Sequence, residues 1–216
     1  MNELISNFLK DSLVSDFGFA YVEDSPFDSL NNAVSMVFHL SEAVVDQIDD
    51  APTHTYFHHY RTMNSYIDSV SNRLVLLIQS HGFTAAAVPA SQSVDTFDAI
   101  FSHKKAAVRA GLGQIGKSAL FISDKFGPRV RLGTVFTDAP IEAKACTAED
   151  KCGSCDLCYR KCGALAIKNV AYREGMKRED IFDAKACSDY MKSMFKHIGR
   201  GAVCGVCMKV CPKSKH

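Results

Sequence analysis

The cysteines of this chain are confined to one stretch. All nine lie between Cys146 and Cys211, and none precedes them. Eight fall into two runs, Cys152, Cys155, Cys158 and Cys162, then Cys187, Cys204, Cys207 and Cys211, the last followed by Pro212. A local crowd of thiols in a reducing compartment points to metal rather than to disulfides. A 4Fe–4S cubane needs a thiolate at each of four corners. Three cysteines at successive three-residue steps wrap three corners with one tight loop, and the fourth of the run reaches to the other cluster. On this pattern cluster 1 takes Cys152, Cys155, Cys158 and Cys211, and cluster 2 takes Cys162, Cys187, Cys204 and Cys207. Two zinc knuckles, at Cys152/Cys155 and Cys204/Cys207, are the alternative, but zinc has no use for Cys158 and Cys162 in strict continuation. Gly153, Ser154 and Gly205 keep the loops small enough for amide N–H groups to reach sulfur. Gly163 follows Cys162 where ferredoxins carry proline, which makes that turn less rigid. Cys146 is the spare and reads as a free, half-buried thiol.

The part without cysteine mixes helix and strand signals. Leu4 to Phe17 forms one helical stripe closed by Gly18. Ala33–Leu40 reads as a buried strand, Thr53–Ser80 as a long helix stopped by His81-Gly82, and Phe83–Val88 as a strand. Ala99–Ala110 reads as a short helix ending at Gly111, and 118–123 and 130–137 as strands around a Phe126-Gly127-Pro128 turn. The expected fold is α+β, three-layered if the sheet is covered on both faces, followed by a small ferredoxin-like module for two clusters. The domain limits by sequence are 1–140 and 141–216. A net charge of +1 gives no electrostatic reason to expect nucleic acid or an anionic membrane as partner. No apolar run approaches ~18 residues, and the first residues do not form a signal peptide. The expected location is the cytoplasm.

Residues 111–118 satisfy two nucleotide motifs, G-x-G-x-x-G at Gly111, Gly113 and Gly116, and G-x-x-x-x-G-K-S ending at Lys117-Ser118. Both require a strand before the glycines and a helix after them. Here a charged helix precedes and a strand follows, so the segment reads as a glycine-rich helix-to-strand turn or a cofactor-contacting loop. His54, His58 and His59, interleaved with Tyr and Phe, read as an aromatic face rather than a metal site.

In order along the chain, SHKKAAVRAGLGQIGKSALFI, FGPRVRLGTVFTDAPI, CGSCDLCYRKC and CGVCMKVCP resemble the epoxyqueuosine reductases and their relatives, the reductive dehalogenases. The resemblance runs from about Ala99 to Pro212. It implies a nitroreductase-like α/β domain that binds cobalamin, with FMN as the alternative on such a fold. It implies a relay of two 4Fe–4S clusters fed by a low-potential donor, a ferredoxin or flavodoxin. Lys104, Gly111, Gly113, Gly116 and Lys117 would contact the cofactor. The family's acidic general acid falls on Phe97, with Asp98 adjacent, and a helix-start glutamate becomes His103, so Asp98 and His103 are the catalytic candidates. The tRNA-binding helical repeats of that family have no counterpart before His216. Together with the charge, this implies a small-molecule substrate rather than nucleic acid.

Overall fold

A computed structural model describes residues 1–92, 97–143, 150–199 and 203–214. Helix α1 (Asn2–Asp11) buries Ile5 and Leu9 completely. Its apolar stripe predicts continuation to Phe17, but the helix stops at Asp11. Leu13 takes φ 51°, and the N–H groups of Leu13 and Val14 turn back to the carbonyls of Lys10 and Leu9. A left-handed residue cannot propagate a right-handed helix, so Phe17 and Gly18 belong instead to strand β1 (Asp16–Tyr21). Gly18 is required there by packing, because a Cβ would lie 2.8 Å from the Ala110 carbonyl oxygen.

The chain continues through β2 (Asn32–His39), α2 (Glu42–Val45), α3 (His54–Ser80), β3 (Ala85–Val88) and α4 (His103–Arg109). It goes on through β4 (Gly113–Ile115), β5 (Phe121–Ser123) and β6 (Val130–Thr137). β2, α3 and β6 keep their expected limits to within a residue. β3, α4 and β5 are shorter than expected, and β4 lies inside the glycine motif, where no strand was anticipated.

Four strands form one sheet in the order β1-β2-β6-β3. β1 and β2 are antiparallel with Phe19 opposite Val34, and β3 and β6 are antiparallel with Ala87 opposite Val135. Strand alternation splits the core in two. Val34, Met36, Phe38 and Val135 join Ile5 and Leu9 of α1 and Ile67, Val70, Leu74 and Ile78 of α3. Ala33, Val88 and Phe136 join Phe101 and Ala106, the latter on α4. Helices thus cover both faces of the sheet, and the fold is mixed α/β. Each fully buried Leu or Ile contributes about 1.5–3 kcal/mol relative to exposure. Gly133 sits where α3 crosses β6, since a Cβ there would come 2.8 Å from Ile67 Cγ2.

The chain forms two compact units that do not follow its order. One comprises Met1–His39, Met63–Gly113 and Arg131–Ala148; the other comprises Leu40–Thr62, Gln114–Val130 and Glu149–His216. Division by sequence is a single cut at 140, whereas the second compact unit also gathers 40–62 and 114–130. That unit carries the β4–β5 hairpin and a series of short helices: α5 (Leu157–Arg160), α6 (Arg178–Ile181), α7 (Ala184–Met194), α8 (Lys196–Gly199) and α9 (Val206–Lys209). Its largest fully buried side chain is charged. Arg129 is 2% exposed and binds the carboxylates of Glu42 and Asp46, the latter at 2.9 Å. Asp46 also accepts from Lys209 Nζ at 2.6 Å. These two cations hold its carboxyl below the usual range, the Lys209 hydrogen bond most of all. Among the described residues, no helix is long and apolar enough to cross a membrane.

Candidate metal centre

Short helices and left-handed glycines position the cysteines. Gly153 (φ 50°) bends the loop between Cys152 and Cys155, and Gly205 (φ 85°) caps α9, which carries Cys207. Only glycine takes such angles without steric cost. Cys158 sits on α5, and Cys187 on α7, which starts where the Asp183 carboxylate accepts the Ala186 N–H at 2.9 Å. Gly205 is also hemmed in, because a Cβ would meet Ile48 Cδ1 at 2.8 Å and Tyr56 at 2.9 Å. Gly163 has a packing reason as well. The Tyr190 hydroxyl lies 2.4 Å from where its Cβ would be, so an aromatic side chain occupies the space that a proline would need.

The eight described cysteines are free thiols, each partly exposed. Cys152, Cys155, Cys158 and Cys211 line one cavity together with Lys117, Ser118, Ile122, Lys151, Pro212 and Lys213. Burial and neighbouring thiols raise the pKa of several of these cysteines. Burial, then Cys152, Cys211 and Cys155, push the Cys158 thiol up to about 11. Burial, then Cys204, Cys162 and Asp183, push Cys187 up to about 11. Cys207 is driven up furthest, by burial and then by Cys204, Cys187 and Cys162, with Cys158 the weakest contributor. Burial raises Cys204 and Cys211 too, the first with Cys162 as neighbour, the second with Cys152 and Cys155. Thiols that resist ionisation in this way give up their protons when a metal replaces them.

This donor set fits a cubane. Four thiols frame one space, and a neighbouring amide already points at sulfur, with Ala166 N–H donating to Cys162 Sγ at 3.4 Å. Among the described residues, no three His, Cys, Asp or Glu side chains close on a point that a single ion could occupy. A cubane spreads its ligands over separate irons and so tolerates a wider frame than the roughly 2.3 Å bonds of a tetrahedral zinc site.

The remaining candidates do not gather with the thiols as one group. Gly116 and Lys117 do: a Cβ at Gly116 would stand 3.4 Å from Cys152 Sγ, and Lys117 Nζ donates to the Cys155 carbonyl at 3.2 Å. The Gly116 N–H bonds the Leu120 carbonyl and closes the β4–β5 turn. The motif therefore has a helix before it and a hairpin within and after it, not the strand–loop–helix of a P-loop. Gly111 (φ 71°) ends α4 and Gly113 (φ 151°) opens β4, both in the first unit.

His103 is held at both ring nitrogens, Nδ1 2.9 Å from the Thr134 hydroxyl and Nε2 3.0 Å from the Pro89 carbonyl. The carbonyl accepts, so Nε2 carries the proton and Nδ1 accepts from the hydroxyl. Burial, the strongest influence, pushes its pKa below the ordinary value. Lys104 lies in the first turn of α4, and Asp98 is exposed in an exposed segment. His59 Nε2 accepts the Ser41 N–H at 3.0 Å, a structural role. Cys146 lies outside the described residues. Sequence reasoning missed Lys151, Ile122 and Tyr190; the only signal was Lys151 standing immediately before Cys152.

Residues 151–214 match a family described as 4Fe-4S double cluster binding domain. The tetrachloroethene reductive dehalogenase of Sulfurospirillum multivorans is 33% identical over 122 residues, which cover 50% of this chain and 23% of that protein. The epoxyqueuosine reductase of Staphylococcus aureus is 30% identical over 124 residues, 56% of this chain and 31% of that one. This chain is related to both. It spans only 23% and 31% of these curated relatives. In fold it is similar to a catabolic reductive dehalogenase, with TM-score 0.76, 19% identity, and coverage of 98% of this chain and 31% of the other. It is also similar to an epoxyqueuosine reductase bound to a tRNA-Tyr stem loop, with TM-score 0.63, 18% identity, and coverage of 99% and 65%. That relative has a nucleic-acid partner, a point against reading the net charge of this chain as excluding one. Nucleic acid is recognised by local charge and shape, and a balanced total does not exclude it.

Proposed function

We propose that the chain is an iron–sulfur reductase with two 4Fe–4S clusters and a corrinoid as its reducing cofactor. Cys152, Cys155, Cys158 and Cys211 would hold the first cluster, and Cys162, Cys187, Cys204 and Cys207 the second. The observation that carries this reading is the cavity framed by Cys152, Cys155, Cys158 and Cys211, which supports the first set, while the second set rests on cysteine spacing. Bound, the clusters supply a one-electron relay from a ferredoxin or flavodoxin. The first domain, 1–140 by sequence and nitroreductase-like in this reading, would take the corrinoid, with FMN as the substitute. Lys104, Gly111 and Gly113 are its candidate contacts. His103 and Asp98 are the candidate proton donors, and His103 would first have to release the Pro89 carbonyl. The protein would work in the cytoplasm on a small molecule. The relative bound to a tRNA stem loop favours a second reading, in which the substrate is a modified tRNA base.

Anaerobic analysis of cluster-replete protein tests the core of this. About eight irons and eight sulfides per chain are expected, and zinc without sulfide would refute it. Added cobalamin should shift to its base-off spectrum. If neither cobalamin nor FMN binds at tens of micromolar, the chain is an electron-transfer protein without its own substrate site.

A further inference from the structure

Lys117 is 8% exposed and lines the cavity of the first thiol set. Its ammonium donates to the Cys155 carbonyl, and among the described residues no carboxylate pairs with it. A buried cation with one neutral acceptor is costly unless an anion joins it. The other lysines of the cavity are compensated differently. Lys151 is bound to Asp124, and Lys213 is exposed, where water screens it. Four thiolates around a cubane provide the missing anion, and the site becomes more negative when an electron arrives. The second set has a carboxylate beside it. Asp183 caps the helix that carries Cys187 and accepts the Cys187 N–H at its carbonyl, while Lys209, on the helix that carries Cys207, is already bound to Asp46 at 2.6 Å.

We propose that Lys117 is the built-in counter-charge of the first cluster and makes that cluster the better electron acceptor of the two. The inference rests on the cluster reading above. Charge beside a cluster in a poorly screened site is one of the determinants of its potential. Lys117 favours the reduced form of the first cluster, and Asp183 disfavours that of the second. A low-potential one-electron donor, oxidised by one electron, would leave that electron preferentially on the first cluster. No bond or proton changes hands in this step. The lysine of the apparent nucleotide motif therefore serves sulfur and iron, not phosphate.

Anaerobic potentiometric titration of the full, cluster-loaded chain, read by electron paramagnetic resonance, tests this. Wild type should show two separate potentials. Lys117→Gln should lower the higher one by at least a tenfold change in the oxidised-to-reduced ratio, about 59 mV for one electron, and leave the other in place. Lys117→Arg should keep the wild-type value, and Asp183→Asn should raise only the lower potential. If Lys117→Gln instead loses one cluster, iron should fall from about eight to about four while Lys117→Arg retains it, which supports the same role. Lys117→Gln protein with both clusters and unmoved potentials overturns the inference, as does a Lys117→Arg variant indistinguishable from Lys117→Gln. Wild type that binds no sulfide overturns the cluster reading itself.

Discussion

The two compact units are held together by different means. The first has an apolar interior on both faces of a four-stranded sheet, with Ile67, Val70, Leu74 and Ile78 of α3 fully buried. The second has short helices, a buried Arg129, a buried Lys117 and eight free thiols. Hydrophobic burial can stabilise the first by itself. Charged groups out of water and thiols without metal cannot do the same for the second. The difference teaches that the sheet is a scaffold in its own right, whereas the second unit, although it also buries Ile48, Ile122, Ile167 and Phe195, is where metal is expected to add most to stability.

The sharpest way to break this contrast is to remove iron. Chelation under reducing conditions should abolish amide protection around 152–162 and 204–211, while the amides of Ile67–Ile78 stay protected in hydrogen exchange. Equal loss in both places would mean that the units are not energetically separate. In the opposite sense, Leu74→Ala should cost about 2–5 kcal/mol in chemical denaturation without changing the iron content. Next in size is Gly127→Ala. Gly127 has φ 58°, and a Cβ would stand 2.2 Å from the Lys213 carbonyl oxygen, a backbone atom that cannot swing aside. The strain is worth about 1–3 kcal/mol, and it should fall on the chain around Cys211, so loss of iron should accompany it.

The smallest effect concerns pH. His103 is held neutral by burial, with its folded pKa below its ordinary value of 6.5. The unfolded chain therefore binds the extra proton first as pH falls. The contribution of His103 is fully present above 6.5 and is lost as pH drops toward the folded pKa. The first unit should weaken in that window, and His103→Gln should flatten the dependence in denaturation curves recorded between pH 7 and 5.

Much of the scaffold was legible because period and burial coincide. β2, α3 and β6 are long, apolar on the expected faces and free of competing turns. α1 was overextended because Phe17 fits the helical stripe as well as it fits strand alternation, and only the left-handed Leu13 decides between them. Two ligand sets can be proposed from sequence because cysteine spacing encodes wrapping around a cube, and the cavity framed by the first set supports that half. The place of Lys117 was not. The helical pattern before the glycines argues against phosphate, but only the hairpin turned by Gly116 toward Cys152 places the lysine beside thiols. Gly163 looked like a departure from a pattern, but it is the imprint of Tyr190, which sequence distance had hidden.

The second unit draws on three separated stretches of chain, and this has a consequence for biogenesis. Asp46 leaves the ribosome well before Lys209, its partner at 2.6 Å. At about 5–20 residues per second, the wait is on the order of ten seconds. During that interval the scaffold strands can pair, but the 40–62 stretch has no finished surface to settle on. Cluster delivery before Cys211 emerges would load an incomplete set of thiols. The order of the chain thus makes metal insertion a post-scaffold event that waits for Cys211.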